Sequence, residues 1–203
     1  MNTALARSRR RRATTAVTAT LVVAFIALIL TVQQSLSTAS AASPSSDPAP
    51  VAGTAAADDG LIEDGVPVTL FDDVPAVTGL DDALRAALQR AARAAASDGV
   101  ELRLNSGWRS AAYQGQLLQE AEAKYGSIEE ASRWVATADT SEHVTGDAAD
   151  VGPWRGADWL GHHGADFGLC QVYANEPWHF ELRADAATDG CPRMYADATE
   201  RRR

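Results

Sequence analysis

Apolar positions along the chain fall into three regimes. From Ala16 to Val32 they form one run, preceded by Arg7, Arg9, Arg10, Arg11 and Arg12 and followed by Ala39-Ser40-Ala41. This is the order of charged, apolar and small-residue regions in a secretory signal. The run is slightly long for such a signal and slightly short for a membrane helix, so residues 1–41 are read as a signal peptide or an uncleaved signal-anchor. Either reading places the remainder outside the cytoplasm, secreted or membrane-anchored. Residues 42–78 are rich in Ala, Pro, Ser, Asp and Gly, with little periodicity before Val66, and are expected to be a flexible spacer.

The third regime, residues 79–198, carries the alternation of a folded domain, with 199–203 as a tail. Leu80, Leu84, Leu88, Ala91 and Ala95 share one helical face; Thr78 is the expected cap and Gly99 the expected stop. Val100, Leu102 and Leu104 alternate with Glu101 and Arg103, as in a strand with one buried face. A helix from Ser110 to Lys124 ends at Gly126, and Ser127 with Glu130 forms a capping box for a short helix carrying Ile128, Trp134 and Val135. Beyond Thr137 the elements shorten: a strand over 148–151, a helix near 158–163, and strands over 169–173 and 178–182. Helices first and short strands afterwards predict an α+β fold, a small, mainly antiparallel sheet with helices packed on it.

Composition narrows the function. The formal charge is −9, and about −14 without the five arginines of the first dozen residues, so the domain repels phosphate backbones and no nucleic-acid partner is expected. No interface pattern stands out, and a monomer is expected. Cys170 and Cys191, an even count in an exported chain, are expected to pair.

Three segments carry chemistry. In Ser141-Glu142-His143-Val144-Thr145-Gly146-Asp147-Ala148-Ala149-Asp150 an imidazole and a carboxylate are separated by a Gly-containing turn that can bring both onto one ion. In Glu176-Pro177-Trp178-His179 a carboxylate precedes a strand bearing a second imidazole. Two His and one Asp, with a fourth position left to water, are the donor set of an open catalytic zinc site. Residues three apart on a strand face opposite ways, so Glu176 approaches the site only if Pro177 breaks the alternation. His179 and Glu181 then share the site face, with Trp178, Phe180 and Leu182 toward the core. In Ser106-Gly107-Trp108-Arg109-Ser110, at a strand-to-helix corner, Arg109 can point into a cleft. His162 and His163, adjacent on an exposed helix, are read as surface or outer residues, and the five tryptophans mostly as core anchors.

Taken together, Ser-Gly-Trp-Arg-Ser with Gln114, Ser-Glu-His-(x)2-Gly-(x)3-Asp and Glu-Pro-Trp-His resemble the VanY-type zinc D-alanyl-D-alanine carboxypeptidases of peptidase family M15, over about residues 83–182. The resemblance implies Zn²⁺ held by His143, Asp150 and His179, Glu176 as general base, and Arg109 stabilising charge on the scissile carbonyl oxygen. It implies the fold shared by D-alanyl-D-alanine metallopeptidases and the hedgehog signalling domain. Ser141 and Gln114 match positions near the substrate, and Trp178, beside a ligand, is a candidate pocket wall. Trp108 stands where the family more often has Tyr, and Val144 and Asp147 occupy variable positions. The expected function is a zinc D,D-carboxypeptidase acting on peptidoglycan stem peptides. The alternatives are a D-alanyl-D-alanine dipeptidase, an L-alanyl-D-glutamate endopeptidase, and a non-catalytic zinc-holding wall-binding module.

Overall fold

The computed structural model describes residues 55–201; the expected signal or anchor, 1–41, lies outside them. Among the described residues no helix is long and apolar enough to cross a membrane. Four short strands, β1 (Arg103–Ser106), β2 (Ala148–Gly152), β3 (Leu169–Gln171) and β4 (His179–Leu182), form one sheet in the order β1-β2-β4-β3, every neighbouring pair antiparallel. The helices are α1 (Pro75–Thr78), α2 (Asp82–Ser97), α3 (Ala111–Tyr125), α4 (Ile128–Ala131), α5 (Glu142–Thr145), α6 (Trp154–His163), α7 (Ala186–Asp189) and α8 (Ala198–Arg201). The architecture is α+β.

The core lies between α2 and one face of the sheet. Leu84, Ala87, Leu88, Ala91 and Ala95 recur at helical spacing and are buried. They join Leu104, Ala149, Val151 and Phe180, the alternate residues of β1, β2 and β4, in one apolar cluster. The opposite face of β2 and β4 is therefore free to carry polar side chains.

Several expectations are corrected. The cap of α2 is Asp81, whose Oδ1 accepts from the amides of Ala83 (2.9 Å) and Leu84 (3.0 Å). Thr78 instead ends the separate turn α1, which Pro75 starts with its preset φ. Residues 55–78, expected to be spacer, pack on the domain: Val68, Leu70, Ala76 and Val77 are buried, and Val68 O accepts from Leu104 N at 2.9 Å. Their apolar residues lack helical or strand periodicity because they fill the core from short irregular segments. The described part of the 199–203 tail is corrected likewise, since Ala198–Arg201 is helical and Arg201 is ion-paired; 202–203 lie outside the described residues. The tryptophans are mostly not core anchors: Trp134, Trp154 and Trp178 are exposed, Trp108 is half-buried, and only Trp159, also half-buried, packs against the core cluster among the described residues. The core space is taken by small and aliphatic side chains around Phe180. His163 stacks on Trp159 at 4.6 Å between centroids, and both His162 and His163 are exposed.

Cys170 and Cys191 are disulfide-bonded, tying the chain beyond β4 back to β3. Leu70 is 1% exposed. Leu70→Ala is expected to cost about 2–5 kcal/mol of folding stability in urea titration, the range for a buried leucine. A spacer residue would cost nothing measurable.

Candidate active site

The register of β2 on β4 sets Asp150 directly opposite His179. Cross-strand partners project to the same face with Cβ atoms about 4.5–5.5 Å apart, which brings Asp150 Oδ1 to 3.2 Å from His179 Nδ1. β1 adds a bulge between Leu104 and Ser106, so that Ser106 rather than Asn105 pairs with Asp150. Such irregularities re-aim the chain, and this one stands just before Trp108-Arg109. His143 arrives from α5, a single turn closed by Gly146 at φ 82°. A side chain at Gly146 would strike Gly79 O, while Gly146 O accepts from Asp81 N at 2.9 Å, so the turn is locked against the start of α2. His143 Nε2 thereby sits 3.5 Å from Asp150 Oδ1.

One nitrogen of each imidazole is already committed. His143 Nδ1 is 2.8 Å from Gly107 O, a carbonyl that can only accept, so Nδ1 carries the proton and Nε2 is left as a donor atom. His179 Nε2 faces the Glu181 carboxylate at 3.3 Å, which leaves Nδ1 toward the site. Each residue then offers one ligand atom, and all three lie within 4.8 Å of one another. For zinc bonds of about 2.0–2.1 Å, a tetrahedral edge is roughly 3.3–3.4 Å, which the two separations from Asp150 Oδ1, 3.2 and 3.5 Å, match, while the two imidazole nitrogens lie within 4.8 Å of each other. The His-Asp-His group therefore fits Zn²⁺.

Protonation follows the same arrangement. Burial pushes His143 down, toward the neutral form that ligates a metal. Burial would also lower His179, but hydrogen bonds to Asp150 and Glu181 reverse this and raise it to about 9. Burial opposes ionisation of Asp150, yet His143 and His179 hold its carboxyl well below the usual range.

Glu176 does not belong to β4. The turn between Tyr173 and His179 is closed by His179 N donating to Glu176 O at 3.0 Å, and Gln171 Nε2 braces it through Pro177 O at 2.6 Å. Glu176 Oε2 comes to 4.0 Å from His179 Nδ1. The carboxyl is buried, and desolvation, with Asp150 adding to it, pushes it up to about 7 against the opposing pull of His179 and Arg109. Such a value suits a proton acceptor near neutral pH. Arg109 is 9% exposed, with Nη2 3.5 Å from Asp150 Oδ2 and Nε buried without a partner among the described residues.

The corner bearing Arg109 is held from three sides. Arg109 N donates to His143 O (3.2 Å), Trp108 N to Ala76 O (3.0 Å) and Ser110 N to Asp59 O (2.9 Å). Gly60, at φ 86°, lies so close that a side chain there would strike Trp108 O. The segment expected to be spacer thus shapes the site.

Asp150, His143, His179, Glu176 and Arg109 line one cleft of about 350 Å³, together with Ser141, Gln114 and Trp178. Ser141 is buried at the start of α5. Gln114 Nε2 donates to Ala136 O at 2.7 Å while its Oε1 is buried with no partner among the described residues. Trp178, expected to face the core, is exposed because it ends the turn ahead of β4, where strand alternation has not begun. Sequence reasoning missed Tyr173, whose ring lies 5.1 Å from that of His179, and the Lys124, Tyr125 and Trp134 side of the cleft. No local pattern marks them. It also missed the part Glu181 plays, although i, i+2 spacing from His179 signals it.

The family profile VanY, described as D-alanyl-D-alanine carboxypeptidase, matches residues 78–185. The chain belongs to that family. Two solved structures are similar at 29% identity and a TM-score of 0.51 over 54% of this chain: a mutant of the vancomycin-resistance D,D-pentapeptidase VanY from a VanB-type resistance cassette in complex with Zn(II), 76% of which is covered, and VanYB in complex with D-alanine-D-alanine, 75% covered. No curated protein sequence matches the chain. Family and fold make this VanY-family protein a peptidoglycan peptidase.

Ser110 Oγ caps α3 by accepting from Tyr113 N (3.1 Å) and donates to Asp59 Oδ1 (2.8 Å). Ser110→Ala is expected to lower folding stability by about 1 kcal/mol in chemical denaturation, the usual cost of a lost cap.

Proposed function

We propose that the chain is a zinc D,D-carboxypeptidase hydrolysing the terminal D-alanyl-D-alanine bond of peptidoglycan stem peptides. In this reading His143, Asp150 and His179 hold Zn²⁺, Glu176 is the general base, and Arg109 stabilises the oxyanion. The observation that carries it is the convergence of three metal-donor atoms, a buried carboxyl and a buried guanidinium on one cleft. Membership of the VanY family supports it, as do the similar structures in complex with Zn(II) and with D-alanine-D-alanine. The arginine-flanked apolar run before the domain supports export to where peptidoglycan lies, with the membrane met only through that segment.

When bound, zinc supplies Lewis-acid chemistry, polarising a carbonyl and making water more acidic. Glu176 accepts the proton of the water that attacks the scissile carbonyl carbon, and returns it to the amine that leaves as the C–N bond breaks. Arg109 lines the cleft and faces the carbonyl oxygen as negative charge grows there. Gln114, Ser141 and Trp178 complete the wall around the terminal D-alanine.

Incubation of the zinc-loaded protein with a pentapeptide stem, read by product mass, is expected to show loss of one alanine, abolished by chelator. Loss of a dipeptide or an internal cut would overturn the substrate assignment, and no cleavage would overturn the enzymatic one. Glu176→Ala is expected to keep stoichiometric zinc while kcat falls by about 10²–10⁴. Arg109→Ala is expected to lower kcat by about 10²–10³, measured by alanine release at saturating peptide.

A further inference from the structure

The family match ends at Asp185, yet the chain continues and returns to the site. The disulfide holds Cys191 against β3. Tyr195 N then donates to Val172 O (2.9 Å), Ala174 N donates to Tyr195 O (2.8 Å), and Asp197 pairs with Arg133 at 3.0 Å. These contacts deliver α8, and at its end Arg201 reaches into the layer behind the metal-donor group. Its Nη1 donates to Glu181 Oε1 at 2.5 Å and to the Tyr173 hydroxyl at 3.3 Å; its Nη2 pairs with Glu142 Oε1 at 2.7 Å.

The two carboxylates belong to the two elements that bring the imidazoles. Glu142 precedes His143 on α5, and Glu181 lies on β4 with its Oε1 3.3 Å from His179 Nε2. Glu181 is 2% exposed, so its charge must be neutralised locally, and Arg201 shares that task with Arg183 at 2.7 Å. A guanidinium is a planar fork that binds two carboxylates at set angles, which an ammonium cannot copy.

We propose that Arg201 is a positioning residue of the metal centre: one guanidinium, supplied from outside the family-matched region, bridges the α5 and β4 elements and sets the His143 and His179 rings at zinc-binding distance. This rests on the reading of His143, Asp150 and His179 as the ligands. Outer partners of metal-bound histidines typically contribute about 10- to 100-fold to metal affinity. Arg201 acts on both elements, so its loss falls in that range.

The test is zinc affinity of the full chain by chelator competition, with kcat and KM for a stem pentapeptide beside it. Arg201→Ala is expected to weaken zinc binding roughly 10- to 100-fold and to lower kcat at subsaturating zinc with KM nearly unchanged. Arg201→Lys is expected to recover only part of the affinity. Arg193→Ala, which removes an exposed arginine of the same segment paired to Glu200, is expected to bind zinc as the parent does. Glu142→Gln keeps the Glu181 pair and is expected to fall between parent and Arg201→Ala, so the series remains informative if Arg201→Ala does not fold. Affinity unchanged within twofold in folded Arg201→Ala, or in Glu142→Gln, would overturn the proposal. Failure of the parent itself to bind one zinc would instead overturn the ligand reading.

Discussion

The pairing of Asp150 with His179 across β2 and β4 is the constraint from which the site is built. Side chains alternate along a strand, so the same register that sends Ala149, Val151 and Phe180 into the core sends Asp150, His179 and Glu181 to the other face. A one-residue slip would bury the carboxylates among leucines and expose the phenylalanine. The core therefore specifies the donor geometry: apolar burial against α2 holds the register, and the register holds two donor atoms 3.2 Å apart.

A polar face built this way gathers charge. Asp150, Glu176, Glu181 and Glu142 lie close together, with Arg109, Arg183 and Arg201 among them. Each buried acid has a different partner and so a different state. Asp150 between two imidazoles stays ionised, whereas Glu176, whose ion-pair partner among the described residues is His179 at 4.0 Å, is pushed toward neutrality by desolvation. Two carboxyl groups on one cleft are thus held in different states, as the proposed roles of metal ligand and proton carrier require.

The site is enclosed by chain on both sides of the family-matched core. Asp59, Gly60 and Ala76 grip the corner that bears Arg109, and the disulfide-tethered segment ending in α8 packs behind the histidines. These contacts are backbone hydrogen bonds and ion pairs between residues far apart in the chain.

Periodicity made α2, α3 and the alternating strands legible, because a helix or strand with one buried face must repeat its apolar residues at 3.6 or 2. Local chemistry likewise marked the imidazoles, the acids and the arginine corner, since within each of the three segments the turn residues and reactive side chains sit no more than ten positions apart. Residues 55–78 read as spacer because an irregular segment fills a core without any repeat to betray it. Most of the tryptophans misled for a related reason: composition says that large apolar rings prefer burial, but only packing says where space remains, and the core is filled by Phe180 and the leucines with Trp159 at its edge. The sequence by itself determined which groups can bind a metal or move a proton. Which nitrogens face inward, how far Glu176 stands from His179, and that Arg201 joins two elements were decided by the tertiary structure, because those distances are summed over strand register, turns and a disulfide that no local pattern encodes.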